Sequence, residues 1–356
     1  MDRLVSGIAG TTALAGIVFL HPESCILHPP SIPMPKILYI TKPRQIELRD
    51  EEPRPLKPHE VRARMLYSGL SHGTTMNVYR GLNAKSFPCR SGYSAVGEII
   101  ETGSEFQGAS VGTVVCSHSS HGTEFILSNK QMFHRVPDGL EPRYGIFLPL
   151  AGVAYNGVLE SRIALGETAV IFGLGVVGLC ACFQIRKAGA FRVIGIDPIA
   201  RRREAALRMG VDAVIDPADG EVFEQVQSVN DGERADVVIE ASGAIPALND
   251  AIKTVKGQSV IVALSWYSSD AAGLNLREDF HLRRIHLRVA QSNSIPADLT
   301  PRWTHERKVR CAKQLLPEMP LDSLITHEFA FEDAALAYEL VDRHPDDCIQ
   351  VILNYG

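Results

Sequence analysis

Thr168-Ala169-Val170-Ile171-Phe172-Gly173-Leu174-Gly175-Val176-Val177-Gly178 decides the fold. A run of strand-forming residues meets three glycines spaced G-x-G-x-x-G, and an apolar helical stretch continues to about Ala188. Strand, glycine turn and helix in that order form the opening unit of a dinucleotide-binding sheet. Gly173 allows the tight turn. Gly175 lets the backbone approach a pyrophosphate, and Gly178 lets the helix pack closely on its strand. The unpaired N–H groups at the helix start then face the phosphates. Leu174, Val176 and Val177 therefore count with the glycines as cofactor-binding positions. With 29 glycines in 356 residues the spacing alone is weak, so the flanking strand and helix carry the reading.

The pattern continues downstream. Val193 to Ile196 reads as a strand, Ala200 to Met209 as a helix and Ala213-Val214-Ile215 as a strand. Asp236 to Glu240 is a fourth strand, Ala247 to Thr254 a helix and Ser259 to Leu264 a fifth strand. Strands alternating with helices predict an α/β fold with a doubly wound parallel sheet. Asp197 ends the second strand about 20 residues beyond the glycines, where a carboxylate accepts hydrogen bonds from ribose hydroxyls and repels a 2′-phosphate. That favours NAD. Arg201 and Arg202 follow closely and soften the preference, so NADP stays open and Arg202 joins the cofactor-binding set.

Upstream, Met34 to about Leu150 is β-rich, with short apolar runs such as Val61 to Leu66, Ala95 to Ile100, Val111 to Val115 and Thr123 to Leu127. Pro149 and Gly152 mark a transition before a helix at Tyr155 to Arg162. After about Ser294, helices are expected at Thr304 to Leu316 and Glu332 to Asp342, and a strand at Ile349 to Leu353. Residues 1–33 stand apart. Leu4 to Leu20 is uncharged and apolar, and three readings compete. A signal peptide lacks its positive start, because Asp2 adjoins Arg3. A membrane anchor is short and rich in Gly and Thr. A non-native extension ahead of a start at Met34 is the reading adopted, with no membrane contact unless the apolar run functions.

The composition, 45% hydrophobic and 22% charged, argues against disorder, and a formal net charge of −5 argues against nucleic acid. Arg201 to Arg203 and Arg283-Arg284 with Arg288 read as solvated helix faces. The seven cysteines form no disulfide framework, which points to a reducing, cytoplasmic setting. Cys180 and Cys182 read as small core residues.

These features together resemble the medium-chain dehydrogenase/reductases over Met34 to Gly356. Gly97 to Gly103, Glu240-Ala241-Ser242-Gly243 and Leu324 to His327 leading into Phe331 to Ala334 support the likeness. The resemblance implies a Rossmann domain at 156–295, a GroES-like β-rich catalytic domain at 34–155 and 296–356, and Ser242 and Gly243 at the cofactor. It also implies a homo-oligomer. Ser68-Gly69-Leu70-Ser71-His72-Gly73-Thr74-Thr75 is similar to the subgroup of 2-desacetyl-2-hydroxyethyl bacteriochlorophyllide a dehydrogenase, though its tetrapyrrole substrate is not carried over.

Against the zinc enzymes of the family, the ligand positions are changed. The first Cys falls on Ser71 or His72, Gly-His-Glu reads Gly92-Tyr93-Ser94, and Pro149 to Gly152 offers no ligand. A catalytic zinc needs three protein ligands, so no zinc is expected. The lobe of four cysteines also has no counterpart, since a short loop joins Cys116 to Gly122. Cys116, His118 and His121 read as a polar loop rather than a metal site. A metal-free site needs another acid/base for the substrate proton. His72 or Tyr93 is expected in that role, with Ser71 or Thr74 orienting the substrate oxygen. The expected reaction is NAD-dependent oxidation of a small secondary alcohol, or ketone reduction. An NADPH-dependent enone or quinone reductase and a non-catalytic dinucleotide-binding protein are the alternatives.

Overall fold

The computed structural model describes residues 34–82, 84–128, 133–268 and 270–356. The readings of Leu4 to Leu20 fall outside them. Six parallel strands form one sheet in the spatial order Ala213–Ile215, Arg192–Ile196, Thr168–Phe172, Ala235–Glu240, Val255–Ala263 and His286–Val289. The order turns back beside the first strand, which is the arrangement of a doubly wound dinucleotide fold. Thr168–Phe172 is buried at every position, as a central strand covered on both faces must be. Val176–Lys187 buries Leu179, Cys180, Ala181, Cys182 and Ile185 against it, so both cysteines are core residues.

The β-rich part centres on Glu60–Gly69, which pairs antiparallel with Ser94–Thr102, Glu124–Ser128 and Gln350–Asn354. Val114–His118 and Phe133–Arg135 extend the sheet on one side. On the other, Ile325–Ala330 runs parallel to Gln350–Asn354, so the chain's end closes the sheet that its beginning opened. Lys36–Lys42, Gln45–Asp50 and Cys89–Arg90 form a separate three-stranded sheet.

The helix expected from Tyr155 begins two turns earlier, at Phe147. Pro149 stands in its first turn, where a missing N–H costs no intrahelical bond. That helix runs Phe147–Ser161 and packs on Val176–Lys187 and on His305–Leu315. Its buried residues therefore belong to one continuous core shared with the parallel sheet. No helix among the described residues is long and apolar enough to cross a membrane.

Candidate active site

The glycine turn is held from three directions. Gly173 has φ +84, and a Cβ there would lie 2.5 Å from the backbone nitrogen of Ser242. A Cβ on Gly178 would fall 1.9 Å from the carbonyl oxygen of Gly173. Gly175 has no neighbour within 4 Å of its Cβ position and caps Val176–Lys187 without a side-chain hydrogen bond. The approach to the first N–H groups of that helix is open, which suits a pyrophosphate. Leu174 donates its backbone N–H to Asp197 Oδ2 at 2.8 Å, and Ile199 donates to Asp197 Oδ1 at 2.9 Å. Arg202 lies 3.7 Å from the same carboxylate and donates to the carbonyl of Pro345.

Behind the turn, the fully buried Glu240 accepts N–H groups from Ser242 at 2.8 Å and Gly243 at 3.1 Å, and a hydroxyl from Tyr267. Ser242 also donates its own hydroxyl to Glu240. This carboxylate fixes the 241–243 turn against Gly173, a positioning role that the sequence reading did not assign to it. The signal lay in its place, an acidic residue closing an otherwise apolar strand.

A cavity of about 280 Å³ lies beside the carboxyl edge of the parallel sheet. Ligands in such sheets bind outside the carboxyl ends of the strands. Ser292 and Asn293 of its wall follow the last strand by three and four residues. Leu148, Pro149, Gly152 and Val153 come from one face of Phe147–Ser161. His305, Lys308 and Val309 come from His305–Leu315, where spacings of three and four put them on one face. Thr304 fixes the start of that helix by accepting the N–H of Arg307 at 3.1 Å. The β-rich part contributes Tyr93, Cys116, Ser117, His118 and His134.

Of the four expected catalytic residues, the structure brings only Tyr93 to this wall. Its ring meets His118 edge-on with centroids 4.6 Å apart. Burial pushes the Tyr93 phenol up from its ordinary value, so it keeps its proton and acts as a donor. Ser71 and Thr74 bind each other, with the Thr74 N–H donating to Ser71 Oγ at 3.3 Å at the start of Thr74–Tyr79. His72 packs 3.8 Å from the Cys348 thiol. Burial first, then Arg202 and Arg80, pull it down to about 4. It belongs to the Arg202 side of the glycine turn. Cys116 and His118 line the cavity, whereas His121 is buried apart, its Nδ1 2.7 Å from Ser68 Oγ. His134, His305, Lys308, Ser292 and Asn293 were not expected. They come from segments far apart in the chain, and no local motif links them.

Ser71, Tyr93 and residues 149–152 supply no ligand set, and among the described residues no group of three His, Cys, Asp or Glu has the geometry to hold a metal ion. The donors do not fit a zinc centre.

Two family models match the chain: "Alcohol dehydrogenase GroES-like domain" over residues 57–164 and "Zinc-binding dehydrogenase" over residues 176–302. A curated relative, D-guloside 3-dehydrogenase of Escherichia coli (strain K12), is 27% identical over 351 residues, spanning 90% of this chain and 100% of that protein. Among solved structures, an E. coli oxidoreductase/dehydrogenase of unknown specificity superimposes with a TM-score of 0.79 at 15% identity, covering 91% of this chain and 99% of that one. An alcohol dehydrogenase from E. coli CFT073, complexed with cofactor NADH, gives a TM-score of 0.77 at 20% identity, covering 91% and 100%.

Proposed function

With the chain a member of the medium-chain dehydrogenase/reductase superfamily and an oxidoreductase of the alcohol and polyol dehydrogenase type, we propose that it moves hydride between NAD and a secondary alcohol without a catalytic zinc. The observation that carries this reading is that the glycine turn follows the strand Thr168–Phe172 while the cavity-lining Ser292 and Asn293 follow the strand His286–Val289, which puts turn and cavity wall at the carboxyl end of one parallel sheet.

Gly173 to Gly178 would hold the pyrophosphate, and Asp197 the adenosine ribose, with one lone pair on each oxygen still free beyond its backbone partner. Ser242 and Gly243 close the turn from behind, and Arg202 flanks the ribose side. A bound nicotinamide supplies the hydride acceptor or donor. Tyr93, kept protonated, donates a hydrogen bond to the substrate oxygen. Pro149, Leu148 and Val153 exclude water from one wall. His118, His134, Ser117 and Asn293 add hydrogen-bonding groups that suit a hydroxyl-rich substrate. The carboxylate of Asp197 disfavours a 2′-phosphate, which favours NAD over NADP.

A homo-oligomer fits the exposed edge of the sheet. His286–Val289 is exposed at all four positions and pairs on one side only among the described residues. The six cysteines among the described residues are all free, which fits a reducing, cytoplasmic setting. The test is turnover of NAD with a panel of polyols and small secondary alcohols, after chelation of metals. Retained turnover supports the reading, and activity that returns only with added zinc overturns its metal-free part.

A further inference from the structure

We propose that Lys308 is a catalytic residue, its ε-amino group accepting the hydroxyl proton of the alcohol as hydride departs and returning it in the reverse direction. This rests on the cavity being the substrate site, as set out above.

Lys308 is buried, yet it stands on the cavity wall. Its Nζ donates to the carbonyl oxygen of Ser292, in the loop that leaves the last parallel strand. The amine is therefore held on the cavity wall beside the loop that leaves the carboxyl end of the parallel sheet. An ammonium has three N–H groups, and Ser292 takes one. No carboxylate pairs with Lys308 among the described residues, and the cavity wall contains no Asp or Glu. A buried unpaired charge is costly.

The titratable groups around it offer little relief. From its own helix come His305, one turn away, and Glu306. The strand Val114–His118 brings Cys116 and His118, and Tyr93 and His134 complete the β-rich wall. Phe147–Ser161 and the Ser292–Asn293 loop bring no titratable side chain to the cavity. Lys313 adds a further positive charge near Cys116 and His134. Burial lowers the Lys308 ammonium to about 8, so near neutral pH a usable fraction is free amine.

The step balances. The C–H bond breaks and its electron pair goes with hydrogen to oxidised nicotinamide. The O–H bond breaks, the proton forms an N–H bond at Lys308, and the C=O bond forms. The ammonium then gives the proton to solvent. Tyr93 cannot do this, because burial keeps its phenol protonated; it donates to the oxygen throughout.

The experiment compares the full-length protein with Lys308→Met, neutral and of similar length, and Lys308→Arg, permanently charged. NADH fluorescence titration establishes the cofactor site in each. NAD is then added near pH 8 in dilute buffer with an indicator dye, because a cationic nicotinamide lowers the pKa of a neighbouring ammonium. The wild type should release a fraction of a proton; both variants should bind NADH within a few-fold and release none. Sorbitol or butane-2,3-diol oxidation in the wild type should rise with pH through about 8. Both variants should lose about 100- to 10,000-fold and the rise with it. Lys308→Arg decides the matter if Lys308→Met does not fold.

Variants that bind NADH and still release the proton, or a Lys308→Arg enzyme that keeps its activity and pH rise, would overturn the proposal while leaving the dehydrogenase reading intact. Absence of NADH binding in the wild type would overturn both. Proton release needs no known substrate.

Discussion

Asp197 accepts the backbone N–H of Leu174 at 2.8 Å, tying the end of the second parallel strand to the middle of the glycine turn. One carboxylate thus shapes the glycine turn and, in the proposed reading, would also face the ribose. Asp197→Ala should strand a buried donor, at a cost of about 1–3 kcal/mol, and weaken NADH by about tenfold or more. Asp197→Asn keeps an acceptor for Leu174 but removes the charge that opposes a 2′-phosphate, so the NADPH-to-NADH affinity ratio should rise. Nucleotide titrations with urea unfolding check both; an unchanged ratio in Asp197→Asn would remove the basis for the NAD preference.

Gly178→Ala places a methyl 1.9 Å from the Gly173 carbonyl, so the turn must open. NADH binding should fall by about tenfold or more. Glu240→Gln keeps an acceptor for the Ser242 and Gly243 N–H groups but puts an NH2 where Oε2 accepts the Tyr267 hydroxyl and the second contact of the Gly243 N–H. It should weaken NADH through the displaced 241–243 turn and leave the Tyr93 cavity unchanged. Parallel titrations of the two variants would show whether the turn's support matters as much as its glycines.

Stability should fall in mild acid. Burial holds His121, His72 and His134 each at about 4, against about 6.5 when unfolded. Between those values the unfolded chain binds protons that the folded chain refuses, so stability declines as pH drops from about 6.5 to about 4. His121 alone, fully buried, accounts for a shift on the order of 3 kcal/mol. Urea midpoints measured from pH 7 to pH 4.5 test this, and His121→Gln should flatten the decline; a midpoint independent of pH contradicts it.

Much of the fold lay in local pattern. The run into Gly173 read directly, because a central parallel strand is a continuous apolar run, and Ala213-Val214-Ile215, at the sheet's edge, read as strand through its short apolar run. His286–Val289 did not, since an exposed edge strand mixing polar and apolar residues looks like loop. The helix starts at Phe147 although Pro149 and Gly152 resemble a break: Pro149 falls in the first turn, which needs no N–H there, and Gly152 in the second turn is buried in the helix packing. The glycine turn and Asp197 lie within and just after one βαβ unit, so their closeness was legible in local pattern, whereas Ser242 and Gly243 follow a later strand. The cavity half was not. Lys308 lies in a helix reading His-Glu-Arg-Lys, where a lysine is ordinarily solvated, and only tertiary packing buries it against Ser292. The order Ser71-His72-Gly73-Thr74 suggested chemistry by analogy, but Ser71 Oγ accepts the Thr74 N–H at a helix start, His72 packs on the Arg202 side, and none of the four lines the Tyr93 cavity.

The exposed edge predicts assembly. Val289 is 68% exposed and Leu287 42%, on a strand with one unpaired side among the described residues. Replacing both with lysine should lower the solution mass seen by light scattering, with the NADH affinity of the product still measurable. A wild-type monomer, or an unchanged mass in the variant, would contradict assembly through this edge.

The most direct test of the account is an NADH titration by nicotinamide fluorescence on full-length protein whose zinc content is measured in the same sample. Saturable NADH binding, weaker NADPH binding and zinc well below one atom per chain are expected. Stoichiometric zinc, or a clear preference for NADPH, would contradict it.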